Sequence, residues 1–139
     1  MTYTTAVKEF SDACNDGDNP STPQLMDAAA VDFIIEMVND ELEELQEATD
    51  VAEQADALVD AIYYICDTAV RHGMNLDRIF DIVHRANMQK VVDGRVIRRD
   101  DGKILKPAGW QDPGPLLLDE VARQMLDGSW DRGSPASPS

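Results

Sequence analysis

From residue 22 to residue 91 the apolar positions recur at three- and four-residue intervals, the period of helices that pack by one face, and no long two-residue alternation appears. Val31, Ile34, Ile35, Val38, Leu42 and Leu45 form one stripe. Thr22 as N-cap, with Pro23 in the first turn, predicts that this helix runs from 22 to about 48. A second stripe, Ala55, Leu58, Ile62, Ile65, Cys66 and Ala69, predicts a helix opened by an Asp50/Glu53 capping box and stopped by the glycine of His72-Gly73. A third, Leu76, Ile79, Phe80, Val83 and Ala86, predicts a helix capped by Asn75 and reaching about Val91. A shorter helix over Thr4 to Cys14 precedes them, followed by the polar loop NDGDNPSTP. Long helices with short connections make an all-α, antiparallel helical bundle.

The pattern breaks after Val91. VVDGRVIRRDDGKILKPAGW holds two Asp-Gly pairs between short β-prone runs, which predicts a small C-terminal β-hairpin appendage. Pro113 to Asp127 predicts a last short helix, and GSWDRGSPASPS reads as a flexible tail. The expected organisation is one helical domain over 1–127 with a tail over 128–139.

Size and charge narrow the picture. A chain of 139 residues supports one core with modest burial, so self-association would stabilise it. A formal charge of -15 argues against nucleic-acid binding and for carboxylates that meet cations. No apolar run reaches the roughly 18 to 20 residues of a membrane span, and MTYTTAVKEF lacks a signal-peptide layout. A cytoplasmic protein without a membrane partner is expected. Cys14 and Cys66 lack CxxC spacing and read as ordinary reduced cysteines.

The negative charge is concentrated. Between Asp40 and Asp60 stand nine carboxylates and no Lys or Arg. At about 100 degrees per residue, Glu41 falls at the edge of its helix's apolar stripe and Glu44 one step beyond, so the two can share a cation; Glu43 and Glu47 point to solvent. On the next helix Glu53, Asp56, Asp60, Tyr64 and Asp67 line the side opposite the apolar stripe. A solvated outer face is the ordinary reading of such a line. Against it, Tyr63 and Tyr64 stand beside the acids, and Asp56 and Asp60 have no Lys or Arg at i+3 or i+4. Glu53 fits a cap and a metal ligand equally well. Hard carboxylate oxygens on two facing helices suit magnesium or manganese, with substrate phosphates completing the shell.

The complement lies downstream. Seven of the twelve basic residues fall between positions 85 and 106, and Asn87 and Lys90 continue the apolar line of their helix inward. Acidic metal ligands together with a basic segment suit a polyphosphate substrate. A charged hairpin making surface salt bridges is the competing reading. Trp110 can stack on a base or pack the hairpin onto the bundle. His72 and His84 are isolated and carry no role. No Ser/His/Asp set, Gly-rich phosphate loop or zinc spacing is present.

Taken together these motifs resemble the MazG-like all-α nucleoside triphosphate pyrophosphohydrolases. Glu41 and Glu44 in DELEELQEA match that family's Glu-x-x-Glu motif, and Asp60 in DALVDAIYY matches the aspartate of its Glu-x-x-Asp motif. VHRANMQKVVDGRVIRRDDGKILKPAGW is similar to the phage and bacterial, phosphoribosyl-ATP pyrophosphohydrolase-like branch, which carries HR-x-N-x-x-K and K-P-x-G-W/Y elements. The resemblance spans residues 24–112. One departure stands out: the second motif's glutamate falls at Ala57, so either Asp56 or Glu53 joins Asp60.

The resemblance implies hydrolysis of a (d)NTP between the α and β phosphates to a (d)NMP and pyrophosphate, assisted by Mg2+ or Mn2+. It assigns Glu41, Glu44, Asp56, Asp60 and Glu53 as metal ligands, Glu44 also orienting or deprotonating the water. Asn87, Lys90, Lys106 and Trp110 would bind substrate, with a purine such as dGTP or dATP favoured by analogy. It also implies a homodimer or homotetramer that completes the bundle and buries Tyr63 and Tyr64. The alternatives are a related all-α dUTPase or phosphoribosyl-ATP hydrolase, and a non-catalytic acidic helical module that binds a basic partner without metal dependence.

Overall fold

In a computed structural model, which describes residues 1–130, five helices run in the order α1 Tyr3–Cys14, α2 Ala28–Glu47, α3 Val51–Arg71, α4 Leu76–Met88 and α5 Gly114–Asp127. They divide into two compact units. The first holds residues 1–76 and the chain from Gln124; the second holds residues 77–123. No described helix is long and apolar enough to cross a membrane.

In the first unit α3 is the central element, packed against both α1 and α2. Its buried residues are mostly small, Ala57, Ala61, Cys66, Ala69 and Val70, which lets neighbouring helices approach closely. Val7 and Ser11 of α1 complete this core. Hydrophobic burial of a residue such as Val70 contributes about 1.5–3 kcal/mol.

Helix ends follow local chemistry. Thr2 and Thr5 close a reciprocal cap on α1. At α3 the Asp50 carboxylate accepts from the Glu53 N–H at 2.7 Å. The helix stops in a Schellman arrangement: Gly73, at φ 72°, donates to Val70 O, and Met74 donates to Ala69 O. The expected start of α2 is corrected. Asp27, whose carboxylate accepts from Ala30 N–H, caps the helix, and Thr22 and Pro23 lie in an extended segment instead. That segment is held elsewhere, because Gln24 N–H donates to His72 O at the end of α3.

The tail also begins differently from its compositional reading. Ser129 is 3% exposed; its N–H donates to Ser21 O, its carbonyl accepts from Asn75 Nδ2, and its hydroxyl donates to Gly73 O. Fully buried Gln124 clasps the backbone N–H and carbonyl of Asn75. The rest of the expected flexible tail, residues 131–139, lies outside the described residues.

In the second unit, Arg123 Nε donates to both oxygens of buried Glu120, at 2.7 and 2.8 Å. The predicted β-hairpin is not formed, and the described residues contain no strand. Both Asp-Gly pairs do turn the chain, but each closes only an isolated bridge, Val92 with Arg95 and Arg98 with Ile104. Asp93 and Gly94 take φ of 53° and 76°, a primed two-residue turn, yet the flanks do not pair onward into a ladder. Helix α4 ends at Met88, short of the expected Val91.

Candidate metal centre

Helix α2 has no fully buried residue; its half-buried line is Ala30, Ile34, Met37, Val38, Glu41 and Leu45. Glu41 thus occupies the inner face of the helix, while Val31, Ile35 and Leu42 of the same apolar stripe are exposed at 38, 52 and 47%. Helix α3 is turned the same way. Ala57, Asp60 and Ala61 lie inward, whereas Leu58, Ile62 and Ile65 of its apolar stripe are exposed. The packed face of α3 therefore runs through the small residues Ala57, Ala61, Cys66 and Ala69 and takes Asp60 with it, while Glu53 and Asp56 stay exposed.

This rotation brings the acids together. One carboxylate oxygen from each of Glu41, Glu44 and Asp60 lies within 4.8 Å of the other two. Glu41 and Asp60 are half-buried and Glu44 is exposed. The Glu41 Oε2 atom is buried and has no hydrogen-bond partner. Burial first, then a hydrogen bond to Glu44 and the charges of Glu44, Asp60 and Asp56, holds the Glu41 carboxyl above its ordinary pKa. Burial, followed by the charges of Asp56 and Glu44, raises Asp60. Among the described residues no Lys or Arg forms an ion pair with any of the three. A convergent set of hard oxygens, with one buried lone pair unused, fits a divalent cation.

The remaining acids separate. Glu53 Oε2 accepts from the Thr49 N–H at 2.9 Å and from the Thr49 hydroxyl at 3.4 Å, so its carboxylate closes the cap one residue earlier than the expected Asp50. Asp56 lies outside the three-carboxylate group and reaches it through its charge on Glu41 and Asp60. Ala57, 3% exposed, sits on the face that carries Asp60.

Of the expected substrate-binding residues, Asn87, Lys90, Lys106 and Trp110 all belong to the second unit, and there they form one group. Trp110 Nε1 donates to Ala86 O at 2.7 Å, anchoring the indole on α4. The Lys90 and Lys106 ammonium groups lie 5.4 and 4.5 Å from its ring centroid. Lys90 Nζ also donates to Asn87 Oδ1 at 3.2 Å. Neither lysine has a carboxylate partner among the described residues. The inward placement of Asn87 is corrected: Asn87 is exposed, and Lys90 is half-buried against the indole.

Adjoining Glu41 and Asp60 is a cleft of about 330 Å³ walled by Phe10, Tyr63 and Tyr64, with Asp67 and Arg71 further along α3. Tyr63 and Tyr64 were legible as aromatics beside an acidic line. Phe10 was not, because nothing in its local pattern connects α1 to that line. The Asp67–Arg71 pair carried only its i, i+4 spacing.

Residues 7–87, more than half of the chain, match the family model described as phosphoribosyl-ATP pyrophosphohydrolase. The chain belongs to the phosphoribosyl-ATP pyrophosphohydrolase family. No curated protein matches it. Phosphoribosyl-ATP pyrophosphohydrolases fall within the MazG-like all-α NTP pyrophosphohydrolase superfamily and are hydrolases acting on acid anhydrides, generally dependent on a divalent metal. The family match contains Glu41, Glu44, Glu53, Asp56, Asp60 and Asn87; Lys90, Lys106 and Trp110 lie beyond it.

Proposed function

We propose that the chain is a Mg2+- or Mn2+-dependent nucleoside triphosphate pyrophosphohydrolase that converts a (d)NTP and water to a (d)NMP and pyrophosphate. The observation that carries this reading is the convergence of Glu41, Glu44 and Asp60 with a buried, unpartnered Glu41 oxygen. Glu41 and Asp60 are the inner ligands, and Asp56 adds negative potential behind them. A bound divalent ion supplies phosphate neutralisation and water activation. Glu44, the exposed member, orients the attacking water and takes its proton as the water oxygen bonds to phosphorus and the α–β bridge opens. Glu53 serves the α3 cap. The Lys90–Trp110–Lys106 group, with Asn87, is a phosphate-holding element of the second unit, its ammonium groups free of carboxylates.

The exposed apolar line of Val31, Ile35 and Leu42 on α2 with Leu58, Ile62 and Ile65 on α3 supports a homodimer or homotetramer, and membership of a metabolic enzyme family supports a cytoplasmic setting. The family match supports phosphoribosyl-ATP as a second substrate, hydrolysed at the same bond. Pyrophosphate release from the eight common NTPs and dNTPs and from phosphoribosyl-ATP, with Mg2+ or Mn2+ and with EDTA, tests both. Metal-dependent release from at least one substrate is expected. No release from any of the nine overturns the reading.

A further inference from the structure

The cleft next to the three carboxylates contains chemistry that holding phosphate does not call for. Helix α3 rises about 1.5 Å per residue, so from Asp60 along one face Tyr63 and Tyr64 stand about 5–6 Å away, Asp67 about 10 Å and Arg71 about 16 Å. The succession is carboxylate, aromatic wall, then ion pair. Phe10 of α1 meets Tyr63 edge-to-face, with centroids 5.8 Å apart and planes at 79°, and remains 56% exposed. An exposed aromatic ring is thereby held rigidly against a second one. Neither tyrosine hydroxyl has a hydrogen-bond partner among the described residues. Arg71 Nε donates to Asp67 Oδ2 at 2.8 Å, leaving the other carboxylate oxygen and the terminal guanidinium nitrogens for a ligand.

We propose that this cleft seats the nucleobase of the substrate, which stacks on Phe10 and Tyr63 while its edge hydrogen-bonds to the Asp67–Arg71 pair. The inference rests on reading Glu41, Glu44 and Asp60 as the phosphate end. A volume of about 330 Å³ is at the small end of ligand sites and suits a base with its sugar, leaving the phosphates toward the carboxylates. The aromatic wall accepts any base, since every base has a π-face. The ion pair discriminates. Arginine reads the O6 and N7 acceptors of guanine, and a carboxylate accepts from ring and amino N–H groups. Guanine carries the N7 and O6 acceptors on one edge and, on the adjoining edge past O6, the N1–H and N2–H donors, so a guanidinium beside a carboxylate can meet both and guanine nucleotides bind best.

The test uses the full chain in EDTA with guanosine and adenosine, which carry no phosphate, followed by saturation-transfer NMR and by the shifts of the Phe10 and Tyr63 ring protons. Guanosine is expected to bind more tightly than adenosine. Phe10→Ala should weaken guanosine about tenfold, Phe10→Tyr should restore it, and Asp67→Asn should erase the preference over adenosine. Phe10 is 56% exposed, so its variants should keep the helical circular-dichroism spectrum. Guanosine binding that is absent, or unchanged in Phe10→Ala, overturns the proposal. If pyrophosphate release occurs while guanosine ignores Phe10, the cleft assignment alone fails. If no substrate releases pyrophosphate yet guanosine depends on Phe10 and Asp67, the cleft stands and the hydrolase reading fails.

Discussion

Replacing Glu41 by Gln should stabilise the metal-free protein and destabilise the metal-loaded one. Glu41 lies within 4.8 Å of both Glu44 and Asp60, and two unit charges at about that separation repel by roughly 1 kcal/mol even with the screening of water. Two such pairs end at Glu41, so neutralising it relieves about 2 kcal/mol at pH 8. Water-like screening is the appropriate choice because Glu44 is exposed. The amide keeps the volume of the side chain and can donate a hydrogen bond to Glu44. For a chain of this length about 2 kcal/mol corresponds to roughly 8 °C in Tm. Saturating Mn2+ at a hundred times Kd adds about 2.7 kcal/mol to the wild type, a gain the variant largely forgoes. Thermal melts followed at 222 nm, in EDTA and in Mn2+, should therefore cross: Glu41→Gln melts higher without metal and lower with it. A variant that melts below the wild type in EDTA, or gains as much from Mn2+, would refute the idea that these carboxylates repel one another until a cation arrives.

Three further outcomes are expected. Glu41 and Asp60 bind their protons more tightly folded than unfolded, so their contribution is fully present below about pH 4 and is lost as pH rises through their raised values; in EDTA the urea midpoint of Asp60→Asn should exceed that of the wild type at pH 7, with the gap closing toward pH 4. Glu53→Ala should cost about 1 kcal/mol of stability by opening the α3 cap and leave Mn2+ affinity nearly unchanged, whereas Asp56→Asn should slightly raise the stability of the metal-free protein at pH 7 and weaken Mn2+ severalfold by calorimetry; the opposite pattern would return Glu53 to the ligand set. Gly73→Ala places a Cβ against the Thr22 carbonyl at a φ of 72°, and should lower the Tm by about 8 °C or more, while Gly94→Ala, at a φ of 76° but in open space, should cost only about 1 kcal/mol by denaturant titration.

The helices were legible because capping chemistry and apolar period agree locally: Asp50 and Gly73 bound α3 where the sequence places them, and α1 differs by one residue. What failed required knowing a partner far along the chain. Thr22 and Pro23 form a sound helix-start signal, but they are drawn off by the backbone bond from Gln24 to His72, and Asp27 becomes the cap. The two Asp-Gly turns form, yet a turn specifies only its own four residues and the flanking chain must find a face to pack on before a ladder extends. The acidic site shows the same division. Spacing alone put Glu41 beside Glu44, whereas the engagement of the Glu53 carboxylate by the Thr49 N–H is a contact no helical wheel contains. The apolar stripes gave the more instructive result. A stripe marks a surface to be covered, without naming what covers it, and in α3 the stripe of Leu58, Ile62 and Ile65 faces away while Ala57, Asp60 and Ala61 pack within the chain. A helix that turns Leu58, Ile62 and Ile65 outward and half-buries Asp60 gives up hydrophobic burial in the isolated chain. A cation that compensates the acids and a second copy that covers the leucine and isoleucines would each stabilise this arrangement, which predicts that added Mn2+ strengthens self-association and that its removal weakens it.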